Sequence, residues 1–258
     1  MQILADIVMG KGYSFNSGTY QTLILGISEA KNDGLGKIRK AIMPEKLERS
    51  KFKPAKRGNL WWNAPLQTNA LPFPGADRSV VQRSQYFDAV ENKAHPVTVE
   101  CYMSVASKLN AYLLMAWLVI FSTLVQYEFT RKLLQAYPGF CSGYLFKETG
   151  PTRQQAKEAS FTYWVFGKGW TEEGANAATA TPPTKTVVAR CDGPDAGYIA
   201  TAGCVLSSAL TILLDSDKLP HEGGVFTTAS AFKNTKIYER LAEHGITFRI
   251  DESVHPTL

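Results

Sequence analysis

The sequence predicts an α+β fold: a mixed or antiparallel sheet with helices on one face, into which a hydrophobic, membrane-associating helix or hairpin is inserted. Three observations predict it. Residues 1–9 form a short apolar run typical of a buried strand, residues 95–105 alternate between apolar and polar side chains, and residues 109–127 contain no charge. The chain has 258 residues, of which 45% are hydrophobic and 20% charged, values that suit a folded core and exclude wholesale disorder, collagen and a coiled coil.

The first strand is predicted to begin at the first residue. Asp6 interrupts its apolar run and no basic residue precedes it, so the segment does not have the pattern of a secretory signal peptide. Because the first residues of an independent domain usually fray, a buried strand at this position leads us to expect that an upstream part is missing.

The alternation in residues 95–105 predicts a strand with one buried and one polar face, which suits an antiparallel sheet, and Tyr102 falls on the polar side. Further strands are predicted at residues 161–167, 184–191 and 247–250. The apolar face of the strand predicted at 95–105 comprises Val97, Val99, Cys101, Met103 and Val105.

Capping residues predict where helices begin and end. Ser17 or Thr19 can begin the first helix, Thr152 and Gln155 have the spacing of a capping box, and Gly245 suits the residue just beyond a helix. A helix is also predicted after the turn at residues 192–198. Its apolar residues recur on one face at Ile199, Ala202, Leu206, Leu210 and Leu213.

The uncharged stretch at residues 109–127 is open to three interpretations: a spanning helix, a monotopic helix or hairpin in one leaflet, and a buried core helix. As a helix it would be about 28 Å long, close to the roughly 30 Å of a bilayer core. A second uncharged stretch, residues 133–146, is too short to span alone, so we place the insertion at about 109–146. A globular sheet on both sides favours a helix lying in a membrane face.

The net charge of +5 is concentrated in residues 31–57, where ten basic and three acidic residues give +7, leaving −2 for the remainder. A solvated charged surface is the simplest interpretation of this basic segment. The uncharged stretch nearby favours anionic lipid headgroups as the alternative. Trp61 and Trp62 could stack on bases, but no nucleic-acid-binding pattern accompanies them, so no nucleic-acid partner is expected.

The best candidate for a functional loop joins a predicted strand to the N-terminus of a helix, where backbone N–H groups can hold an anion. The alternative is a tight turn whose Asp caps the helix. A glycine pair further on is a second candidate, with turn chemistry as its alternative. The candidate substrate or interdomain residues are Gly193, Pro194, Asp195, Gly197, Tyr198, Thr201, Gly223 and Gly224.

No cofactor site is expected in this chain, because the sequence has neither G-x-G-x-x-G nor G-x-x-x-x-G-K-[ST]. The four cysteines lie far apart without C-x-x-C, which predicts reduced, mostly buried thiols and no metal site. No catalytic residue can be named from these patterns.

Four segments, residues 71–85, 150–162, 193–201 and 223–245, resemble the saccharopine dehydrogenase-like oxidoreductases, which are related to bacterial trans-acting enoyl reductases. The resemblance implies that full-length members carry an N-terminal Rossmann domain that binds NAD(P). Residues 1–258 would then be a single C-terminal domain, the substrate and dimerisation domain of a Rossmann-type dehydrogenase, without the dinucleotide-binding domain.

The same resemblance implies an intracellular role in lipid or glycolipid metabolism, at a lipid-droplet or endoplasmic-reticulum surface, and a homodimer. Contact with that surface is expected through residues 109–127 and 31–57. The alternative is a catalytically inactive interaction protein of the droplet or membrane.

Overall fold

The computed structural model describes residues 1–30, 34–48, 52, 55–171, 182–220 and 223–254. Its centre is a seven-stranded sheet in the order β3-β4-β5-β1-β7-β8-β9, with a separate two-stranded sheet of β2 and β6. The fold is therefore α+β, as predicted. The strands are β1 (Gln2–Val8), β2 (Phe15–Asn16), β3 (Trp61–Asn63), β4 (Thr68–Pro72), β5 (Glu100–Val105), β6 (Phe146–Lys147), β7 (Ser160–Gly169), β8 (Lys185–Pro194) and β9 (Thr247–Ile250).

The helices lie mostly between these strands, and the described part of the basic segment contributes one of them. They are α1 (Ser17–Glu29), α2 (Leu35–Ile42), α3 (Asp77–Asn92), α4 (Lys108–Val125), α5 (Glu128–Ala136), α6 (Pro138–Cys141), α7 (Arg153–Glu158), α8 (Ile199–Leu214), α9 (Thr228–Phe232) and α10 (Ile237–Glu243).

Strand β1 lies in the middle of the sheet, which confirms the prediction of a buried first strand. Leu4 and Ala5 are almost completely buried. β1 pairs in parallel with β5 and antiparallel with β7, and the other strand pairs of the large sheet are antiparallel. The sheet is mixed because β1 and β5 run in the same direction, with α1 to α3 in the connection between them.

Strand β5 departs from the predicted pattern in two ways. It begins at Glu100 rather than near residue 95, and its pairing with β1 is parallel, so antiparallel pairing holds only for β4. Tyr102 was also expected on the polar face but is buried. The physical reason is that β5 is an inner strand with both faces covered, and the Tyr102 ring packs edge-on against Trp61 at 5.3 Å.

Each face of the large sheet carries its own apolar cluster. On one face, Leu4, Tyr102 and Phe166 pack together with Val188 and Trp164. On the opposite face, helices α8 and α10 cover the end of the sheet near β7 and β8. That second cluster comprises Phe161, Ala200 and Ile246, with Tyr163, Cys191 and Leu241 against it.

A helical lobe with its own core lies outside the sheet. We use this name for α1, α4, α5, α6 and the small sheet of β2 and β6. The predicted insertion at 109–146 forms most of this lobe, and α1 packs against it. The buried centre of the lobe comprises Tyr20, Ile24, Phe121, Val125, Leu134 and Phe146.

The predicted caps are mostly found. Thr152 and Gln155 form both hydrogen bonds of the capping box at α7, and Gly245 follows α10 with φ of +77°. At α1 the prediction was wrong by one residue or more, because the N-cap is Asn16, whose side chain accepts from the backbone N–H of Gly18 at 2.8 Å.

Candidate functional site

The loop predicted as a ligand site joins β8 to α8, and its one carboxylate is buried. Asp195 is 2% exposed and its Oδ2 accepts hydrogen bonds from the backbone N–H groups of Tyr198 at 2.6 Å and Ile199 at 3.2 Å. Its Oδ1 accepts a hydrogen bond from the Tyr13 hydroxyl. These contacts are those of an aspartate that caps a helix. This role is the one predicted as the alternative to a ligand-binding loop.

Two further hydrogen bonds hold the same loop, one from Asn16 and one within the loop itself. The backbone N–H of Asn16 donates to the Tyr198 hydroxyl at 2.8 Å, and Thr201 donates to the carbonyl of Ala196 at 2.6 Å. Burial, together with the Asp195 carboxylate, raises the pKa of Tyr13 far above its ordinary value. Tyr13 therefore stays protonated and acts as a permanent donor to Asp195.

The glycines of the loop permit close packing. A Cβ on Gly193 would lie 2.4 Å from the Phe161 ring, and a Cβ on Gly197 would lie 3.4 Å from the Tyr13 hydroxyl. The neighbouring Pro194 is the last residue of β8 and pairs with Ser160. Asp195 is thus buried at the base of the loop, whereas residues 196–199 are exposed.

The second predicted element, Gly223-Gly224, forms a turn in which φ is +62° and +127°. Only glycine adopts the second of these values without strain. Among the described residues, no hydrogen bond joins this turn to the loop at 193–201.

A larger exposed apolar surface lies on α4, which confirms the helix predicted at 109–127. By length and composition, Lys108–Val125 is the one helix among the described residues that could cross a membrane, and only 17% of it is buried within the protein. That value argues against the core-helix interpretation. The exposed residues follow helical spacing along one stripe: Leu109, Tyr112, Leu113, Ala116, Val119, Ile120 and Thr123.

The opposite side of α4 is packed inside the helical lobe. The Trp117 ring stacks on Phe121 with ring centroids 4.7 Å apart, and Phe121 contacts Tyr20 of α1. The helix therefore has two apolar sides, one in the lobe core and one facing outward. An outward apolar stripe of this length is unusual for a protein surrounded only by water.

Exposed apolar side chains are also found on and beside the next two helices, α5 and α6. Phe129 and Phe140 are 80% and 79% exposed, and Leu133, Tyr137 and Tyr144 are also exposed. The sequence analysis did not single out these side chains. Their i, i+4 spacing at 129, 133 and 137 could have identified them. We call the exposed apolar residues of α4 to α6, together with Tyr144, the apolar surface.

Charged groups lie on α5 itself and, beside α3, on α2. Lys132 forms an i,i+4 ion pair with Glu128 at 2.7 Å on the exposed side of α5. Within the described part of the basic segment, α2 is an amphipathic helix without a buried residue, with Leu35, Ile38 and Ile42 exposed beside basic side chains. Basic groups beside exposed apolar groups are typical of protein segments that bind a lipid interface.

Two cysteines on the sheet lack the chemistry of nucleophiles or metal ligands. Burial raises the pKa of Cys101 and of Cys191 to about 11, so both thiols are protonated at neutral pH. Both are half-buried and Cys204 is exposed, so the thiols are less buried than predicted. Within the described ranges, no group of three or more His, Cys, Asp or Glu could hold a metal ion.

Known proteins resemble this chain in sequence. It is 51% identical over 243 residues to the lipid droplet localized protein of Caenorhabditis elegans, covering 93% of this chain and 57% of that protein. It is 33% identical over 245 residues to a human saccharopine dehydrogenase-like oxidoreductase, covering 94% and 56%. A probable mitochondrial saccharopine dehydrogenase-like oxidoreductase of Arabidopsis thaliana is 26% identical over 256 residues, covering 91% and 56%.

The resemblance inferred from the four sequence segments is thereby confirmed. The chain spans a little over half the length of these relatives. No protein-family model and no solved structure matches it.

Proposed function

Because this chain is a homologue of the saccharopine dehydrogenase-like oxidoreductases, we propose that it is the C-terminal portion of such an enzyme and acts at a lipid-droplet or endoplasmic-reticulum surface inside the cell. The reaction would be an NAD(P)-dependent oxidation or reduction in lipid or glycolipid metabolism. The nucleotide would be held by a part of the protein outside these 258 residues.

The apolar surface is the observation that carries the proposed location. Burying a large apolar side chain contributes about 1.5–3 kcal/mol, and the side chains here are already partly covered, so each would contribute about 1 kcal/mol on entering lipid. Six or more such side chains are enough for stable attachment. The 51% identical relative, named for its location on lipid droplets, supports the same conclusion.

The packing of α4 favours the monotopic interpretation over a spanning helix. To cross a bilayer, α4 would have to leave the helical lobe and expose Phe121 and Val125, which are buried there. Lying flat, the helix keeps these contacts and places its outward stripe in the lipid. A droplet is bounded by a single lipid layer, which suits a helix that is half in protein and half in lipid.

The basic segment would provide a second, electrostatic contact. Each basic group near an anionic lipid surface contributes about 1 kcal/mol, and that attraction weakens as salt is added. The amphipathic α2 joins this attraction to an apolar contact through Ile38 and Ile42.

The test is flotation of the chain with artificial droplets carrying a phospholipid monolayer. Val119→Asp and Ile120→Asp place a charge on the outward stripe of α4 without touching the lobe core, and we expect each to reduce the floated fraction at least fivefold. Val225→Asp is the matched control, because Val225 is 95% exposed and lies outside the apolar surface. Equal flotation of Ile120→Asp and the unsubstituted chain would contradict the proposed location.

A further inference from the structure

Strand β9 is an edge of the large sheet, and its outer side has free backbone groups. Within the described ranges, β8 is the one strand that pairs with it. Asp251, just after β9, donates its backbone N–H to the carbonyl of Val188, and hydrogen-bonded pairs alternate with non-bonded pairs along an antiparallel ladder. Arg249 therefore also bonds to β8, whereas the N–H and C=O groups of Phe248 and Ile250 point away from the sheet.

The two residues with outward backbone groups also carry the exposed apolar side chains of this edge. Phe248 is 51% exposed and Ile250 is 62% exposed. Both side chains lie on one face of the sheet, and Arg249 between them lies on the opposite face, because side chains alternate along a strand. β9 has no proline, no bulge in its pairing with β8, and no charge on its apolar face. The usual protections of a sheet edge are therefore missing on that face.

An apolar trough of about 560 Å³ runs up to this edge. Its floor is a row of directly paired residues, one from each of β1, β7, β8 and β9: Ile3, Val165, Ala189 and Ile250. The next row, which holds Phe248, is covered instead, since Tyr238 of α10 packs edge-on against the Phe248 ring at 5.0 Å. One end of β9 thus borders an open hollow, and the other end carries a projecting aromatic pair.

We propose that β9 binds β9 of a second copy of this chain, antiparallel and about a two-fold axis at Arg249. The two seven-stranded sheets then become one continuous sheet. In this register Phe248 of each copy lies opposite Ile250 of the other copy. Each of these two pairs exchanges two backbone hydrogen bonds, so every outward N–H and C=O group of Phe248 and Ile250 has a partner.

The same register makes the apolar face self-complementary. Ile250, at the mouth of the trough, comes to lie beside Phe248 of the second copy, whose Tyr238 covers that ring. The aromatic pair of each copy therefore closes the open side of the other copy's trough. A strand from an unrelated protein would satisfy the backbone groups but would not bring this pair. The apolar face thus favours a second copy as the occupant.

The polar face of the joined strands carries balanced charge. Arg190 and Arg249 both pair with Asp192, at 2.7 Å and 3.5 Å. Asp251 follows on the same face, so each copy brings two cations and two anions. The two Arg249 side chains would lie opposite each other, but each keeps its own Asp192 and is diagonal to Asp251 of the second copy. The like charges at the axis are therefore compensated.

The contact is small, which sets its expected strength. It covers one four-residue strand and the apolar side chains beside it, less than the about 800 Å² per partner of a standard stable interface. We therefore expect a dimer with a dissociation constant of about 1–100 μM. The contact shares no residue with the apolar surface of α4 to α6, so it goes beyond attachment to droplets.

The first experiment measures self-association of the complete chain by sedimentation equilibrium up to about 300 μM. Every sample carries Ile120→Asp, so that the apolar surface does not itself cause association. Ile250→Pro removes an outward N–H but no hydrogen bond to β8, and we expect it to raise the dissociation constant at least tenfold. Ile250→Val, the matched control, keeps the N–H and an apolar side chain and should change the constant less than about twofold.

Cysteine cross-linking tests the register independently of the proline variant. In a chain whose exposed Cys204 is replaced by serine, Arg249→Cys places two thiols opposite each other, within the Cα separation of about 4.4–6.8 Å that a disulfide requires. Thr247→Cys is the control, because its two copies would lie about 14 Å apart along the strands. We expect oxidation to give a disulfide-linked dimer for Arg249→Cys alone.

Four outcomes would overturn the proposal. They are a monomer at every concentration, undiminished association of Ile250→Pro, no cross-link with Arg249→Cys, and equal cross-linking at positions 249 and 247.

Discussion

At the scale of single residues, two buried tyrosines show how differently one hydroxyl can be used. The Tyr13 hydroxyl donates to the buried carboxylate of Asp195. The Tyr20 hydroxyl has no hydrogen-bonding partner among the described residues, although the side chain is fully buried in the core of the helical lobe. Burial raises the pKa of Tyr20 to about 12, so the group is neutral and its hydroxyl only costs stability.

Replacing each tyrosine by phenylalanine should therefore change stability in opposite directions. Tyr20→Phe removes a buried, unsatisfied hydroxyl and is expected to raise the free energy of unfolding by about 1 kcal/mol. Tyr13→Phe removes a hydrogen bond to a carboxylate and is expected to lower it by about 1–3 kcal/mol. Urea denaturation followed by circular dichroism measures both, and a loss of stability in Tyr20→Phe would show that its hydroxyl has a partner.

The pair of Asp215 and Arg240 joins α8 to α10 and predicts a dependence on pH. Arg240 donates to both carboxylate oxygens, at 2.7 and 3.2 Å, and the backbone N–H of Lys236 donates at 2.8 Å. The hydrogen bond from Arg240, followed by that from Lys236, holds the pKa of Asp215 far below its ordinary value. The folded state thus binds this proton less readily than the unfolded state.

The stabilisation by this pair is fully present above about pH 4, the ordinary pKa of an aspartate, and is lost as the pH falls below it. We expect Asp215→Asn to be less stable than the unsubstituted chain at pH 7 and the difference to shrink steadily between pH 4 and pH 2. Thermal melts over this range provide the measurement. A difference that stays constant down to pH 2 would contradict the assignment to Asp215.

At the scale of elements, α8 shows that the more apolar face of a helix is not always the face that is buried. Its buried stripe comprises Ala200, Gly203, Ser207 and Thr211, whereas Leu206 and Leu213 of the predicted apolar face are exposed. Small residues are buried because α10 approaches closely there. A Cβ on Gly203 would lie 2.7 Å from the Cβ of His244.

Two helix glycines give a matched test of this close approach. Gly26 of α1 is exposed with nothing within 4 Å of an added Cβ, so Gly26→Ala should raise the free energy of unfolding by about 0.5–1 kcal/mol through helix propensity. Gly203→Ala has the same gain but must separate α8 from α10, an overpacking cost of about 1–3 kcal/mol. We expect Gly203→Ala to lower the free energy of unfolding measured by chemical denaturation. An equal increase for both variants would show that α10 can move away from α8 at no cost.

Local signals predicted much of the fold because they depend on neighbouring residues alone. The capping box of Thr152 and Gln155, and Gly245 after α10, need only a few residues of context. Tyr102 and the exposed side of α4 depend on which distant elements cover them, and no periodicity carries that information. For the candidate loop, the motif was compatible with two roles, and the capping role is favoured by the backbone N–H groups of Tyr198 and Ile199 that donate to Asp195. The second partner of this carboxylate, the Tyr13 hydroxyl, comes from 182 residues away.

At the scale of the whole molecule, the nucleotide is expected to bind outside this chain. The 258 residues contain no glycine-rich phosphate motif. We therefore expect isothermal titration of the chain with NADPH to give no saturable heat. A micromolar dissociation constant would contradict the assignment to the C-terminal portion of an oxidoreductase, whereas a longer relative that binds no nucleotide either would favour the inactive droplet protein.

The central place of β1 also has a consequence for the order in which the chain can fold during synthesis. Gln2 pairs with Phe166, so the inner strand must wait for about 160 residues to be translated before its second partner exists. At about 5–20 residues per second this takes about 8–30 s. Because α4 is complete once Val125 is translated, its outward stripe is available to lipid for the last 41 of these residues, about 2–8 s, so the nascent chain could reach a lipid surface before its sheet is closed.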